Sequence, residues 1–175
     1  MFGGKRFLKI PPLNVIKILL IDGAEYIESY VVKLLVKKGY KVVVIDNLSI
    51  EQREAVIYRK LEMVNLKEKE KLSELIKKFK PYVVIHFAAP IEVEESVKNP
   101  AKYYRNNTVN TLDLLESMIE NDIKFFIFSS TAAVYGIPEE IPIKEDAPLR
   151  PINPYRKSKA FAKENVKRLR FGLRA

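Results

Sequence analysis

The stretch Val15-Ile16-Lys17-Ile18-Leu19-Leu20-Ile21-Asp22-Gly23 decides the fold, because it is aliphatic at every position but Lys17 and then stops at an Asp-Gly turn. A strand with so little alternation is buried on both faces, as in a parallel sheet. From Ala24 to Lys38 the apolar residues Ile27, Val31, Leu34 and Leu35 recur at i, i+4, i+7 and i+8. That spacing predicts a helix with this stripe inward and Gly39 at its C′ position. The next aliphatic run, Val42 to Ile45, ends at Asp46 and completes a strand-helix-strand unit.

The same alternation continues outward. A weak strand is expected near Glu62 to Leu66, then a helix marked by Leu72, Leu75, Ile76 and Phe79 that ends before Pro81. Tyr82 to Ile85 reads as a strand. Asn99-Pro100 reads as an N-cap and N1 pair opening a helix with the stripe Thr108, Thr111, Leu112, Leu115, Met118 and Ile119. Phe125 to Phe128 is the next strand, a proline-rich loop follows, and a last helix is expected from about Tyr155 to Arg170. The expected class is therefore α/β, a Rossmann-like doubly wound parallel sheet with helices on both faces. Residues 1–13 read as a leader ending near Pro11-Pro12, and 14–175 as one domain.

Composition narrows the chemistry. The 175 residues are 47% hydrophobic and 30% charged, which fits a globular chain. With no cysteine and one histidine, His86, thiolate and His-rich metal sites are excluded, and no metal is expected. The net charge of +9 is uneven, since Lys144 to Ala175 carries ten Lys/Arg against three Asp/Glu. A solvated basic helix accounts for it, and no nucleic-acid motif or basic-aromatic interleaving appears, so nucleic acid is not an expected partner. Apolar runs are too short for a membrane span and the first 13 residues lack a secretory core, so neither membrane nor export is expected. The expected location is the cytoplasm.

Ligands of open α/β sheets bind beyond the carboxyl ends of the strands. This points to Asp22 to Glu28, Asp46-Asn47, His86 to Pro90 and Ser129 to Gly136. A carboxylate ending the second strand can accept hydrogen bonds from an adenosine ribose, though a strand-terminal Asp is also a common turn residue. Tyr155 and Lys159, four apart, share a helix face, where the cation favours the phenolate and so a general base. Taken alone, that spacing also occurs by chance. Ser129, Ser130 and Thr131 put hydroxyls directly after a strand, as active sites do and as ordinary capping does.

A family resemblance is carried by the segments Val84 to Ala89, Glu95-Ser96-Val97, Tyr103 to Asn107, Phe126 to Gly136, and Asn153 to Lys159. In order and spacing they resemble the extended short-chain dehydrogenase/reductases, the NAD-dependent epimerase/dehydratase family, nearest its UDP-glucose 4-epimerase branch. The resemblance implies an NAD-binding Rossmann domain and transient oxidation at C4 of a nucleotide-sugar by hydride transfer. Thr131, Tyr155 and Lys159 would be catalytic, with Thr131 and Tyr155 at the sugar and Lys159 tuning Tyr155. Cofactor-binding residues would be Gly23, Tyr26, Ile27, Asp46, Asn47, Asn65, Leu66, Phe87, Ala88, Ala89, Asn106, Ser129, Tyr155 and Lys159. Related 4,6-dehydratases place Asp-Glu after the Thr, whereas Ala132-Ala133 stand here, which favours an epimerase.

The sequence also departs from that family. Its first turn carries three glycines spaced three apart, and here those positions are Asp22, Glu25 and Glu28, in a chain with six glycines in all. Asn110 and Arg156 also stand where the family usually has glycine. The chain stops where the family continues into a further strand and a C-terminal substrate domain, so a truncated form is expected. Two readings follow: an NAD-dependent epimerase, or a catalytically inactive truncated relative that keeps the fold and binds NAD weakly or not at all. A homodimer packed through its helices accompanies the second reading.

Overall fold

Five short strands pair side by side and parallel, so every crossover must return over a sheet face. The computed structural model describes residues 11–22, 26–46 and 60–169. The strands are β1 Lys17–Ile21, β2 Lys41–Asp46, β3 Lys60–Met63, β4 Val83–His86 and β5 Phe125–Phe128. Their order is β3-β2-β1-β4-β5, all parallel. The doubly wound arrangement is thus as expected. β1 lies at the centre with Ile18, Leu19, Leu20 and Ile21 buried, and Ile21 is level with Ile45 on one side and His86 on the other.

Helices cover both faces. On one face α1 (Tyr26–Lys37) packs through Val32, Val31, Leu35 and Val36 against Ile18, Leu20, Val42 and Val44. On the other, α2 (Lys69–Phe79) supplies Leu72 and Ile76, and α5 (Asn110–Glu120) supplies Leu114, Leu115 and Met118, against Leu19, Ile21, Val43 and Ile45. Between β4 and α5 lie two short helices, α3 Val93–Lys98 and α4 Pro100–Tyr103, then a π turn at Tyr104–Val109. The last helix, α6, spans Pro154–Leu169. No helix among the described residues is long and apolar enough to cross a membrane.

Several boundaries match the local chemistry. Gly39 has φ +90 and closes α1 as a C′ residue, its N–H donating to the Val36 carbonyl while that of Tyr40 donates to Leu35. Asn99 caps α4, its side-chain oxygen accepting from the Lys102 N–H with Pro100 at N1.

Other expectations are corrected. On α1, Ile27 and Leu34 are 65% and 57% exposed, and Val32 takes the buried position. The helix is apolar on two sides, and the three-residue return through Gly39 into β2 fixes which side meets the sheet. On α5 the missed Leu114 is buried while Ile119 is exposed. Thr111, Leu115 and Met118 are buried as expected, and Leu114 joins them because it lies three residues beyond Thr111 and four before Met118 on the same helix face. The third strand is Lys60–Met63, a few residues earlier than expected. β5 is half-buried with Ile127 exposed, because it forms one edge of the described sheet. Of the expected leader, residues 1–10 lie outside the described residues; Leu13–Val15 forms a 3-10 turn.

The corrected phase of α5 is testable by urea denaturation at constant slope. Leu114→Ala should cost about 2–5 kcal/mol and Ile119→Ala less than about 1 kcal/mol; equal losses would contradict the observed phase.

Candidate active site and cofactor groove

Parallel strands bring all their carboxyl ends to one edge, so Asp22, Asp46, His86 and Ser129 follow or end β1, β2, β4 and β5 there. A groove of about 540 Å³ opens at the β1 and β2 end of that edge, lined among others by Asp22, Asp46, Asn65, Leu66, Ala88, Ala89 and Asn106. Asp46 is 6% exposed at the end of β2. The Asn65 side-chain oxygen accepts from the Lys67 N–H, which holds this turn in place beside Leu66. Leu66 and Ala88 pack on the core behind the groove.

Not every expected residue lies there. The Phe87 side chain packs against the Ile18-Leu20 core on the opposite face, because side chains alternate as the chain leaves β4. Ile27 is exposed on α1. Tyr26 opens α1. Gly23, Glu25 and Asn47 lie outside the described residues.

Of the catalytic candidates, Tyr155 and Lys159 lie in the first turns of α6 and Thr131 follows β5. Asn153 caps this helix, its side-chain oxygen accepting from the Arg156 N–H, with Pro154 in the first turn. Tyr155 then packs edge-on against the buried Tyr103 ring, centroids 6.3 Å apart. One turn later Lys159 is 3% exposed, its Nζ donating to the Ser129 carbonyl at 2.8 Å and lying 4.6 Å from the centre of the Phe128 ring. Burial pushes its pKa down from 10.5 to about 8, against the opposing pull of the Asp22 carboxylate. Thr131 begins the 3-10 turn Ala132–Tyr135, its hydroxyl oxygen accepting from the Ala133 N–H. Gly136 has φ +72, and a Cβ there would stand 2.2 Å from the Arg150 carbonyl oxygen.

A polar network that the sequence reading missed fixes this helix. Asn107 in the π turn donates to Ser158 Oγ at 3.0 Å, and Ser158 Oγ donates to the Tyr155 carbonyl at 2.7 Å. Thr108 Oγ1 donates to the Ser158 carbonyl, and Thr111 Oγ1 donates to that of Asn107 while meeting His86 Nε2 at 3.0 Å. Burial, reinforced by the Lys159 charge, holds the His86 pKa down at about 3, so His86 is neutral. A π turn beside hydroxyl-rich helix starts is the kind of irregularity that gathers at functional sites. Only the cluster Asn106-Asn107-Thr108 hinted at it in the sequence.

The glycine replacements have different outcomes. Asn110 is buried and donates from its side chain to Asn106 Oδ1. Arg156 buries its Nε without a hydrogen-bond partner among the described residues. Asp22 takes φ +65, a left-handed conformation, and lines the groove. Asp46, Asn65, Leu66 and Ala88 suit the adenosine end of NAD, whereas Asp22 opposes its diphosphate. A carboxylate about 4 Å from a phosphate oxygen costs about 4 kcal/mol at an effective dielectric of about 20. In this turn the family's backbone approaches the pyrophosphate, and Asp22 adds both a Cβ and a charge.

Comparison with known proteins agrees with this architecture. The family described as GDP-mannose 4,6 dehydratase matches residues 20–172, and the chain belongs to that NAD-dependent epimerase/dehydratase family. Within it the chain is similar to UDP-glucose 4-epimerases. It is 43% identical over 150 residues to the one from Rhizobium meliloti and 47% over 154 residues to that of Streptococcus mutans, covering 86% of this chain and 46% of each relative. The UDP-glucose 4-epimerase of Brucella ovis, solved in complex with NAD, superposes with a TM-score of 0.87 at 38% identity. That match covers 91% of this chain and 49% of the other. The Thermotoga maritima enzyme, solved with UDP-glucose, gives 0.85 at 32% identity, covering 90% and 52%. The chain thus spans about half the length of the curated relatives it matches.

The buried ammonium has a measurable consequence. Because its folded pKa lies below 10.5, the unfolded chain holds this proton more tightly, and Lys159 makes stability rise between pH 8 and 10.5. Lys159→Met should therefore stabilise the protein at pH 7, by about 2 kcal/mol after the lost hydrogen bond is counted. The gain should disappear by about pH 10.5, which urea denaturation of both proteins at the two pH values would show.

Proposed function

We propose that this chain carries the cofactor-side and acid–base part of an NAD-dependent nucleotide-sugar epimerase of the UDP-glucose 4-epimerase type, working in the cytoplasm. The observation that carries this reading is the seat of Lys159, buried between Ser129 and Phe128 one turn beyond Tyr155, with Thr131 at the end of the same strand. Similarity to relatives named UDP-glucose 4-epimerase supports it. In such a reaction Tyr155, one helical turn before Lys159, takes and returns the proton of a sugar hydroxyl. Thr131 already accepts from the Ala133 N–H and so has its own proton to donate to that oxygen. Lys159 steadies the phenolate charge from its anchored position.

Asp22 favours a second reading, a relative that keeps the fold and the acid–base wall but binds NAD weakly or not at all. A homodimer packed through its helices belongs to this second reading.

Calorimetric titration with NAD separates the two, using the whole chain and the triple reversion Asp22→Gly, Glu25→Gly, Glu28→Gly. Binding of NAD in the micromolar range or tighter by the unaltered chain supports the epimerase. Binding by the reverted chain alone supports the inactive relative, with an expected gain in affinity of about a hundredfold or more.

A further inference from the structure

The groove is not uniformly hostile to ligands. Its adenosine end is built for a flat, uncharged partner: Leu66 and Ala88 present apolar surface backed by the core. Asp46 stands at the end of β2, where a carboxylate can accept from vicinal ribose hydroxyls. Asn65 uses its oxygen on the Lys67 N–H, which leaves its NH2 to donate to a ring nitrogen. The volume of about 540 Å³ is ample for a nucleoside.

The charge lining the groove as a whole turns against an anion. Carboxylates of Asp22, Asp46, Glu92 and Glu95 line the groove against the ammonium groups of Lys67 and Lys102. Lys102 is already held by Glu95. Lys159, the buried cation nearby, donates to the Ser129 carbonyl and is attracted by Asp22, so it offsets part of that charge. Asp22 adds a fixed negative charge at the end of the central strand, where the left-handed backbone holds its side chain at the groove wall.

We propose that this groove accepts an uncharged adenine nucleoside and rejects the same nucleoside once it carries a diphosphate, with Asp22 as the residue that makes the distinction. The inference rests on reading the groove as the adenosine side of a cofactor site. It inverts the preference of a dinucleotide site, in which most of the electrostatic attraction falls on the phosphates.

Calorimetric titration of the whole chain with adenosine, AMP and ADP tests it, with circular dichroism confirming that each variant is folded. Adenosine should bind at least about tenfold more tightly than ADP to the unaltered chain, with AMP between them. Asp22→Asn keeps the size and tolerates the left-handed conformation while removing the charge. It should tighten ADP about tenfold and leave adenosine unchanged, and Asp22→Gly should tighten ADP further. ADP binding to the unaltered chain as tightly as adenosine would overturn the inference, as would an Asp22→Asn effect of equal size on both ligands. If adenosine binds neither the unaltered chain nor Asp22→Gly, the cofactor-site reading itself falls.

Discussion

The burial of β1 on every side constrains the rest of the molecule. With Ile18 to Ile21 out of water and paired on both edges, the neighbours must be parallel, and the connecting helices must shield both faces. Parallel pairing then delivers the chain ends of β1, β2, β4 and β5 to one edge. Asp22, Asp46, His86 and Ser129 share that edge because of the sheet, although they are far apart in sequence. The position of the groove is therefore a property of the core.

Placing α6 needs a second set of contacts. α6 is tied to the π turn by Asn107, Ser158 and Thr108, and to β5 by the Lys159 ammonium on the Ser129 carbonyl. Each bond is modest in net terms, about 1 kcal/mol, but leaving any of these buried groups unsatisfied costs more. Tyr155 is thereby fixed at its own carbonyl by Ser158 and at its ring by Tyr103.

Much of this was legible beforehand. The aliphatic runs, the Gly39 helix end and the Asn99-Pro100 cap follow from local chemistry, which acts within a few residues. The burial face of α1 was not legible, because two apolar stripes compete and the choice depends on how the chain re-enters β2. On α5 the buried Thr111, Leu115 and Met118 were legible, whereas Leu114, at the edge of the same stripe, is buried by how the helix sits against β1 and β2. Tyr155, Lys159 and Thr131 could be picked out by motif, and Lys159 is anchored on the Ser129 carbonyl just beyond β5. The electrostatic link between Asp22 and Lys159 could not be seen, since only the folded sheet brings the two near. Phe87 illustrates the same limit, its side chain falling on the far face of the sheet from Ala88.

The left-handed backbone at Asp22 bears on which exchanges such a fold tolerates. Asp and Asn are the non-glycine residues that enter this region most readily, so this glycine position admits an acid at small cost to folding. A bulky or β-branched residue there would strain the backbone and be removed along with the fold. The turn thus filters substitutions by shape while remaining blind to charge, and a chain can drift away from its ligand without drifting away from its structure.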